Sequence, residues 1–167
     1  MGHASTFKTP WGWVEITATE NGLSSIDLFP AHRQATSNHQ GAGNATRAFL
    51  IEAQGQLLAY IEGTRRVFSL PVDMSSGTPF QRKVWRTIMK VPYGRARSYK
   101  WVADRVGGNQ YARAVGMALG ANPVPIIVPC HRIIAQDGSL GGFSCGLPVK
   151  RRLLRLEGTL AQLRHAQ

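Results

Sequence analysis

The residues best suited to chemistry lie in one short and mostly apolar segment, residues 126–134. In the sequence IIVPCHRII, Cys130, His131 and Arg132 interrupt a series of β-branched residues. Polar side chains are seldom buried in such a segment without a function. An imidazole beside a thiol can take its proton or stabilise the negative sulfur, and a thiolate held ready in this way is a strong nucleophile. Cys130 is therefore our candidate nucleophile, although a free cysteine taken alone is usually a small buried apolar residue.

Adjacency along the chain does not by itself place the imidazole on the thiol. Neighbouring side chains of an extended strand point to opposite faces, so Cys130 and His131 need not be hydrogen-bonded directly. A cysteine with an unperturbed pKa of about 8.5 is only a few per cent thiolate at neutral pH. The fold must therefore supply a base.

Cysteine usage and hydropathy narrow the class of protein. The 167 residues suffice for one large or two small domains with apolar cores. The two cysteines, Cys130 and Cys145, match neither a disulfide framework nor zinc-ligand spacing, and Cys145 alone indicates a packing or surface thiol. No apolar segment reaches membrane-spanning length, and the N-terminus lacks the pattern of a signal peptide. We expect a cytoplasmic protein without a metal site or a membrane partner.

Positive charge is concentrated in the half of the chain that contains Cys130. Residues 1–80 hold five basic and six acidic residues, whereas residues 81–167 hold fifteen and three. The net charges of −1 and +12 together give the +11 of the whole chain. Such asymmetry is typical of a protein that binds a polyanion, because lysine and arginine neutralise phosphates and release counterions. A basic surface that serves only solubility would have the same count.

The N-terminal part predicts an antiparallel hairpin. Apolar and polar residues alternate over 13–19, Asn21 and Gly22 form a hairpin-turn pair, and residues 23–29 predict a second strand. The polar segment 30–43 predicts a loop.

One helix and one further strand complete this small α/β unit. Thr46 can cap a helix that ends at Gly63, and residues 67–72 predict a strand that returns to the sheet. The helix would present apolar side chains on one face, namely Leu50, Ala53, Leu57 and Ile61. A polar segment then marks a domain boundary, so we expect domains over residues 1–77 and 78–167.

Three helices are predicted in the basic half, over residues 79–91, 99–106 and 110–119. Thr78 and Ser98 stand at N-cap positions, and Pro79 stands at a first helical position. Gly107 and Gly108 allow a tight turn between the last two helices. Two short helices joined by a glycine-containing turn are typical of a helix-turn-helix, although without the charge they would indicate ordinary helical packing.

Five segments of the basic half occur in a specific order: YARAVGMA (111–118), NP (122–123), PCHR (129–132), GGFS (141–144) and LLRLEG (153–158). This pattern resembles the O6-alkylguanine-DNA alkyltransferases, from about Thr78 to Gly158. The resemblance implies a ribonuclease H-like α/β domain over residues 1–77, with a small antiparallel sheet and a helix. It also implies an α-rich DNA-binding and alkyl-transfer domain over residues 78–167 with a winged helix-turn-helix.

The resemblance implies direct transfer of an alkyl group from O6 of guanine, less readily from O4 of thymine, to Cys130. Attack on a saturated carbon suits a soft, polarizable sulfur. A relay of Cys130, water, His131 and Glu157 would move the proton, with the carboxylate orienting the imidazole. Asn122 would bond backbone groups at the turn that carries Cys130. Taken alone, Glu157 is a helix-surface charge and Asn122 a turn former.

The leaving guanine gains negative charge, so its pocket should offer hydrogen-bond donors. By resemblance, the Tyr99 hydroxyl serves N3 of the base and the Ser144 amide serves O6. The carbonyls of Cys130 and Ile133 would accept from the exocyclic amine, and the ring of Phe143 would stack on the base. Without the resemblance, Tyr99 is a half-buried aromatic residue at a helix start.

An O6-alkyl group lies inside the duplex, so the nucleotide must be flipped out. The resemblance places the helix over 110–119 in the minor groove, with Arg113 filling the vacated space and Tyr99 displacing the 3′ phosphate. The expected DNA-contacting residues are Gln81, Tyr111, Ala112, Arg113, Ala114 and Gly116.

A thioether is a poor leaving group, so each molecule is expected to act once and without a cofactor. Its partner would be double-stranded DNA carrying O6-alkylguanine, bound by a monomer associated with the nucleoid, with cooperative assembly on DNA left open. One rival hypothesis is a sensor that flips the lesion without transfer, but such relatives of the family lack the nucleophilic cysteine. A second is a cysteine hydrolase of small substrates, which the basic half and the helix-turn-helix disfavour.

Overall fold

The computed structural model describes residues 2–28 and 41–163. Most of the loop predicted over residues 30–43, and the last residue of the strand predicted over 23–29, lie outside the described residues. The chain divides into two compact units, Met1–Met74 and Ser75–Gln167. None of the helices in the described part of the chain combines the length and apolar character needed to cross a membrane.

The first unit is an antiparallel sheet with one helix. Its elements are β1 (His3–Thr9), β2 (Gly12–Thr19), β3 (Gly22–Leu28) and α1 (Asn44–Ile61). The strands lie in the order β1-β2-β3, which confirms the predicted hairpin of β2 and β3. Val14, Ile16 and Ala18 of β2 are fully buried, as the alternation predicts. β1 was not predicted, because its residues do not alternate between apolar and polar in this way.

Two predictions for the first unit were wrong. Thr46 does not cap α1, because the helix begins earlier and its N-cap is Gly43, which has no side-chain cap. Residues 67–72 form no strand but only an isolated parallel bridge between Val72 and Leu23. Pro71 explains part of this result, since proline has no N–H to donate to a ladder.

The second unit contains four helices and a two-stranded sheet in its described part. Its elements are α2 (Pro79–Ile88), β4 (Arg97–Ser98), α3 (Tyr99–Val106), α4 (Ala112–Gly120), β5 (Ile133–Ile134) and α5 (Leu147–Leu156). β4 and β5 pair in parallel. α5 was not predicted. The helix predicted over residues 79–91 ends three residues earlier, and the one predicted over 110–119 is divided into the 3-10 turn Asn109–Tyr111 and α4.

Capping and one buried indole position these helices. Thr78 and Gln81 form a reciprocal capping box at α2, and the Ser98 hydroxyl accepts from the Trp101 amide at the start of α3. The Trp85 indole N–H donates to the Ala118 carbonyl at 2.8 Å, which fixes α2 against α4. Because Val115, Ala118 and Leu119 of α4 are buried, its opposite face lies at the surface.

Candidate active site

The segment that carries the thiol is a turn and not an extended strand. Cys130–Arg132 form a single 3-10 turn directly before β5, which corrects the strand geometry considered from the sequence. Just before it, Ile126 has a φ of 75°, which is uncommon for a β-branched residue and costs about 1–3 kcal/mol. Backbone strain of this kind is concentrated at functional sites.

The Asn122 side chain holds this strained turn in place. Its Nδ2 donates to the Val128 carbonyl at 2.8 Å, and its Oδ1 accepts from the Val124 amide at 2.9 Å. Nδ2 also donates to Cys130 Sγ at 3.2 Å. The asparagine thus does what was expected of it at the backbone and, in addition, offers a hydrogen bond to the sulfur that stabilises negative charge there.

Glu157 is a buried charge and not a helix-surface one. It follows α5 as the C-cap, and its side chain is fully buried beside that of His131, with Nε2 and Oε1 2.8 Å apart. Arg132 binds the same carboxylate through Nε at 2.9 Å and Nη2 at 2.8 Å, and its Nη1 donates to the Val91 carbonyl at 2.7 Å. Burial alone would raise the pKa of Glu157, but the hydrogen bonds from His131 and Arg132 outweigh it and lower the pKa to about 2.

The His131 imidazole is arranged to accept a proton. Burial lowers its pKa, although the hydrogen bond to Glu157 opposes this effect, so the ring is neutral. Because an ionised Glu157 only accepts hydrogen bonds, we assign the ring proton to Nε2. Nδ1 is then an acceptor, and within the described chain it is buried without a hydrogen-bond partner. Its lone pair is free to take a proton.

The Cys130 thiol is protonated at rest. Burial raises its pKa to about 11, and the hydrogen bond from Asn122 opposes that rise only in part. This corrects the expectation of a thiolate held ready beside the imidazole. Ionisation must accompany the reaction, and a neutral His131 is suited to assist it.

A cavity of about 130 Å³ opens onto the sulfur. The cavity is lined by four residues that were predicted to act in catalysis or to contact the base, namely Tyr99, Cys130, Phe143 and Ser144. Sequence reasoning had not included Leu119, Gly120 and Gly142, which line it as well. Ile133 is fully buried and does not line the cavity. The Tyr99 hydroxyl is directed to the Gly142 carbonyl at a long 3.5 Å, so its bond is easily exchanged for one to a ligand.

The residues predicted to contact DNA differ in their surroundings. Arg113 is exposed on α4, and Gly116, one turn further along, lines the cavity. Tyr111 is 41% exposed and packs its ring against that of Phe80, with centroids 5.6 Å apart. Ala112 and Ala114 are half-buried. The Gln81 amide oxygen accepts from the Thr78 amide at 2.9 Å, so this side chain has a capping role.

Two site residues were missed by the sequence analysis. Arg132 was noted only as a polar residue in an apolar segment, and it proves to hold Glu157. Lys150 was not singled out, and it is fully buried. A signal existed for Lys150, because it lies three and four residues before Leu153 and Leu154, on the buried face of α5. No cluster of metal-ligating side chains occurs among the described residues.

The part of the chain that holds this site matches a known protein family, and relatives match most of the chain. Residues 79–159 match the family model described as 6-O-methylguanine DNA methyltransferase, DNA binding domain. A methylated-DNA–protein-cysteine methyltransferase of Mycolicibacterium paratuberculosis is 47% identical over 152 residues, which cover 91% of this chain and 90% of the relative. The enzyme of that name from Methanosarcina acetivorans is 36% identical over 153 residues, with 92% and 96% covered.

Solved structures give the same result. The crystal structure of Mycobacterium tuberculosis O6-methylguanine methyltransferase matches with a TM-score of 0.75 and 35% identity, covering 94% of this chain and 93% of that chain. The crystal structure of Mycobacterium tuberculosis OGT in complex with DNA matches with a TM-score of 0.76 and 34% identity, with 93% of each chain covered.

Proposed function

Because this chain belongs to the methylated-DNA–protein-cysteine methyltransferase family, we propose that it repairs DNA by transferring an alkyl group from O6 of guanine to Cys130. O4-alkylthymine would be a slower substrate. The observation that carries this proposal is the Cys130 thiol at a cavity within the DNA-binding domain. An Asn122 amide donates to its sulfur, and the next residue, His131, forms a buried pair with Glu157. A sensor that only flips the lesion would have no use for this thiol.

The proposed reaction exchanges one bond for another. Cys130 Sγ attacks the alkyl carbon, the S–C bond forms, and the C–O6 bond breaks with its electron pair left on guanine. The thiol proton passes, through a water molecule, to His131 Nδ1, whose positive charge the ionised Glu157 stabilises. The Tyr99 hydroxyl and the Ser144 amide would donate to the guanine as it gains charge. The guanine anion takes up a proton at N1, equivalent to the one that the thiol lost, so the net result is alkylated Cys130 and an unmodified guanine.

The reaction is irreversible because no group in this site can displace a thioether. Each molecule would therefore act once, without a cofactor. Residues 78–167 would carry binding and transfer, and residues 1–77 would be a ribonuclease H-like scaffold. α3 and α4 would form the helix-turn-helix of a winged domain. We also propose that the protein acts as a monomer on double-stranded DNA, associated with the nucleoid.

Intact-mass measurement tests the proposal directly. After the protein is mixed with a duplex that contains O6-methylguanine, we expect the protein to gain the mass of one methylene group, and peptide mapping to place it on Cys130. The gain should stop at one group per molecule. Tight binding with unchanged mass would indicate the sensor, and indifference to DNA would indicate a hydrolase.

Replacing Arg113 by alanine should weaken base extrusion far more than stability. Arg113 is exposed, so its truncation leaves the core intact, and surface substitutions usually change stability by at most about 0.5 kcal/mol. The readouts are the fluorescence of a 2-aminopurine placed beside the lesion and the melting temperature. Arg155→Ala on α5 is the matched control, since Arg155 is also exposed. Equal effects of the two variants on extrusion, or a large loss of melting temperature in Arg113→Ala, would contradict this role.

A further inference from the structure

A large apolar side chain projects from the exposed face of α4. Met117 is 71% exposed, more than any other large apolar residue described in the second unit. Arg113 precedes it by four residues, and side chains four apart on a helix share a face. The other neighbours of Met117 on this face are small, namely Ala114, Gly120 and Ala121. A single exposed apolar residue needs no explanation by itself, so the position of Met117 is what gives it meaning.

This position is defined by the cavity that opens onto Cys130. Gly116, Leu119 and Gly120 of α4 line the cavity. At about 100° per residue, Arg113 lies between this cavity-lining side of the helix and Met117. Met117 is also about 6 Å further along the helix axis, whereas base pairs are about 3.4 Å apart. If Arg113 fills the space of a base that has entered the cavity, Met117 therefore reaches a neighbouring base pair.

The composition of α4 suits the minor groove of DNA. Sequence readout in the major groove depends on several polar side chains that bond base edges. Residues 112–121 contain one polar side chain, that of Arg113. Proteins that bind the minor groove combine arginine with apolar side chains, methionine included, which insert between base pairs and bend the duplex. An unbranched thioether adapts its shape to such a gap, and burial of its apolar surface offsets part of the cost of unstacking.

We propose that Met117 is an apolar wedge, which enters the minor groove beyond Arg113 and partly unstacks a base-pair step beside the lesion. The inference rests on the proposed function in one respect, which is that duplex DNA is the ligand of α4. Unstacking costs least at flexible pyrimidine–purine steps and more in a stiff A-tract. Met117 is thus a specificity-determining residue, and the rate of repair depends on the bases that flank the alkylated guanine.

Met117→Ala removes the wedge without disturbing the core. Alanine has the highest helix propensity and the methionine is mostly exposed, so the melting temperature should not fall. Binding is measured in variants that also carry Cys130→Ser, so that no alkyl group is transferred meanwhile. With an O6-methylguanine duplex, Met117→Ala should raise the Kd about tenfold, because the thioether no longer loses its apolar surface to the groove.

Unstacking has its own readout and its own controls. A 2-aminopurine placed one or two base pairs from the lesion should become brighter when a protein with Met117 binds, and much less so with Met117→Ala. Met117→Leu keeps an apolar side chain of similar volume and should restore most of the affinity and of the fluorescence. Met89→Ala is the matched control, because Met89 is also an exposed methionine and lies at the end of α2.

A second arm measures sequence context with the native Cys130. Two O6-methylguanine duplexes differ only in the steps that flank the lesion, which are TA and CA steps in one and an A-tract in the other. A protein with Met117 should transfer the alkyl group about fivefold faster from the flexible duplex at low DNA concentration. Met117→Ala should lose most of this preference, whereas Met89→Ala should keep it.

The inference is overturned if Met117→Ala and Met89→Ala have the same Kd, the same fluorescence and the same preference between the duplexes. It is also overturned if Met117→Ala loses affinity but keeps the wild-type preference, because that result shows a contact without unstacking. The proposed function fails by a different result, which is unchanged mass of the wild-type protein after exposure to the alkylated duplex. The binding measurements would remain interpretable in that case, since they involve no transfer.

Discussion

Replacing Cys130 by serine should abolish alkyl transfer and leave DNA binding largely intact. A serine hydroxyl is a weak nucleophile unless an adjacent base activates it, and its oxygen lacks the softness of sulfur toward a saturated carbon. The substitution is small, and Cys130 is buried against the cavity, whereas Arg113 is exposed on α4. The expected result is no gain of mass after prolonged mixing with O6-methylguanine DNA, with a Kd for DNA within about threefold of wild type.

Cys145→Ser is the matched control for this experiment. Cys145 is the other cysteine of the chain and is half-buried next to Ser144, which lines the same cavity. We expect this variant to gain one methylene group as wild type does. Methylation that persists in Cys130→Ser would show that Cys130 is not the residue that accepts the alkyl group. Simultaneous loss of DNA binding in that variant would contradict the separation of the thiol from the DNA-binding surface.

Glu157→Gln should reduce both the transfer rate and the stability of the second unit. The amide cannot stabilise a protonated His131, and general-base assistance contributes about 10²–10⁴ to a rate. It also leaves the Arg132 guanidinium buried without its carboxylate, and breaking a buried pair in this way costs about 3–5 kcal/mol. The measurements are single-turnover transfer kinetics at saturating DNA and urea unfolding at neutral pH.

The acid dependence of stability gives an independent check on Glu157. Its pKa is lowered by folding to about 2 from an ordinary 4.5, so the folded state binds the proton more weakly than the unfolded state. The stability that this carboxylate contributes is therefore complete above about pH 4.5 and is lost as the pH falls towards about 2. Glu157→Gln should lack this component, and its unfolding free energy should depend less on pH between about 5 and about 3.

Asp104→Asn provides the comparison for an exposed ion pair. Asp104 binds Lys100 at 2.8 Å, but both side chains are nearly half exposed. Such pairs contribute about 0.3–0.5 kcal/mol, so this variant should unfold almost as wild type does. If Glu157→Gln is as stable as Asp104→Asn and transfers the alkyl group at the wild-type rate, the contacts of Glu157 with His131 and Arg132 support neither the reaction nor the stability of the second unit.

Local chemistry along the chain determined much of the second unit. Thr78 with Pro79 and Ser98 define helix starts through backbone groups within three residues, and the glycine pair at 107–108 defines the turn between α3 and α4. These signals depend on near neighbours only, so they can be read from the sequence. The same holds for the charge asymmetry, which is a sum over residues and indicated a polyanionic partner.

Sequence patterns did not predict the local structure where contacts with a distant segment determine it. β1 has little alternation and forms because β2 pairs with it, and residues 67–72 look like a strand but make only one bridge. Thr46 has the right residue type for a cap, yet α1 begins at Asn44. Pairing partners and the ends of helices in such segments are set by packing, which residue patterns do not contain.

The sequence alone singled out Cys130 and His131 as candidate reactive side chains, because a thiol and an imidazole are conspicuous in an apolar segment, and the resemblance of the surrounding segments to the alkyltransferases favoured the catalytic interpretation. Only the tertiary structure decided what surrounds them. It turned Cys130–Arg132 into a 3-10 turn, and it brought Glu157 onto His131 and Lys150 onto two carbonyls. Burial then raised the pKa of the thiol and lowered that of the imidazole. The reason is physical: acidity depends on the charges and solvent around a group, and those surroundings come from residues far away along the chain.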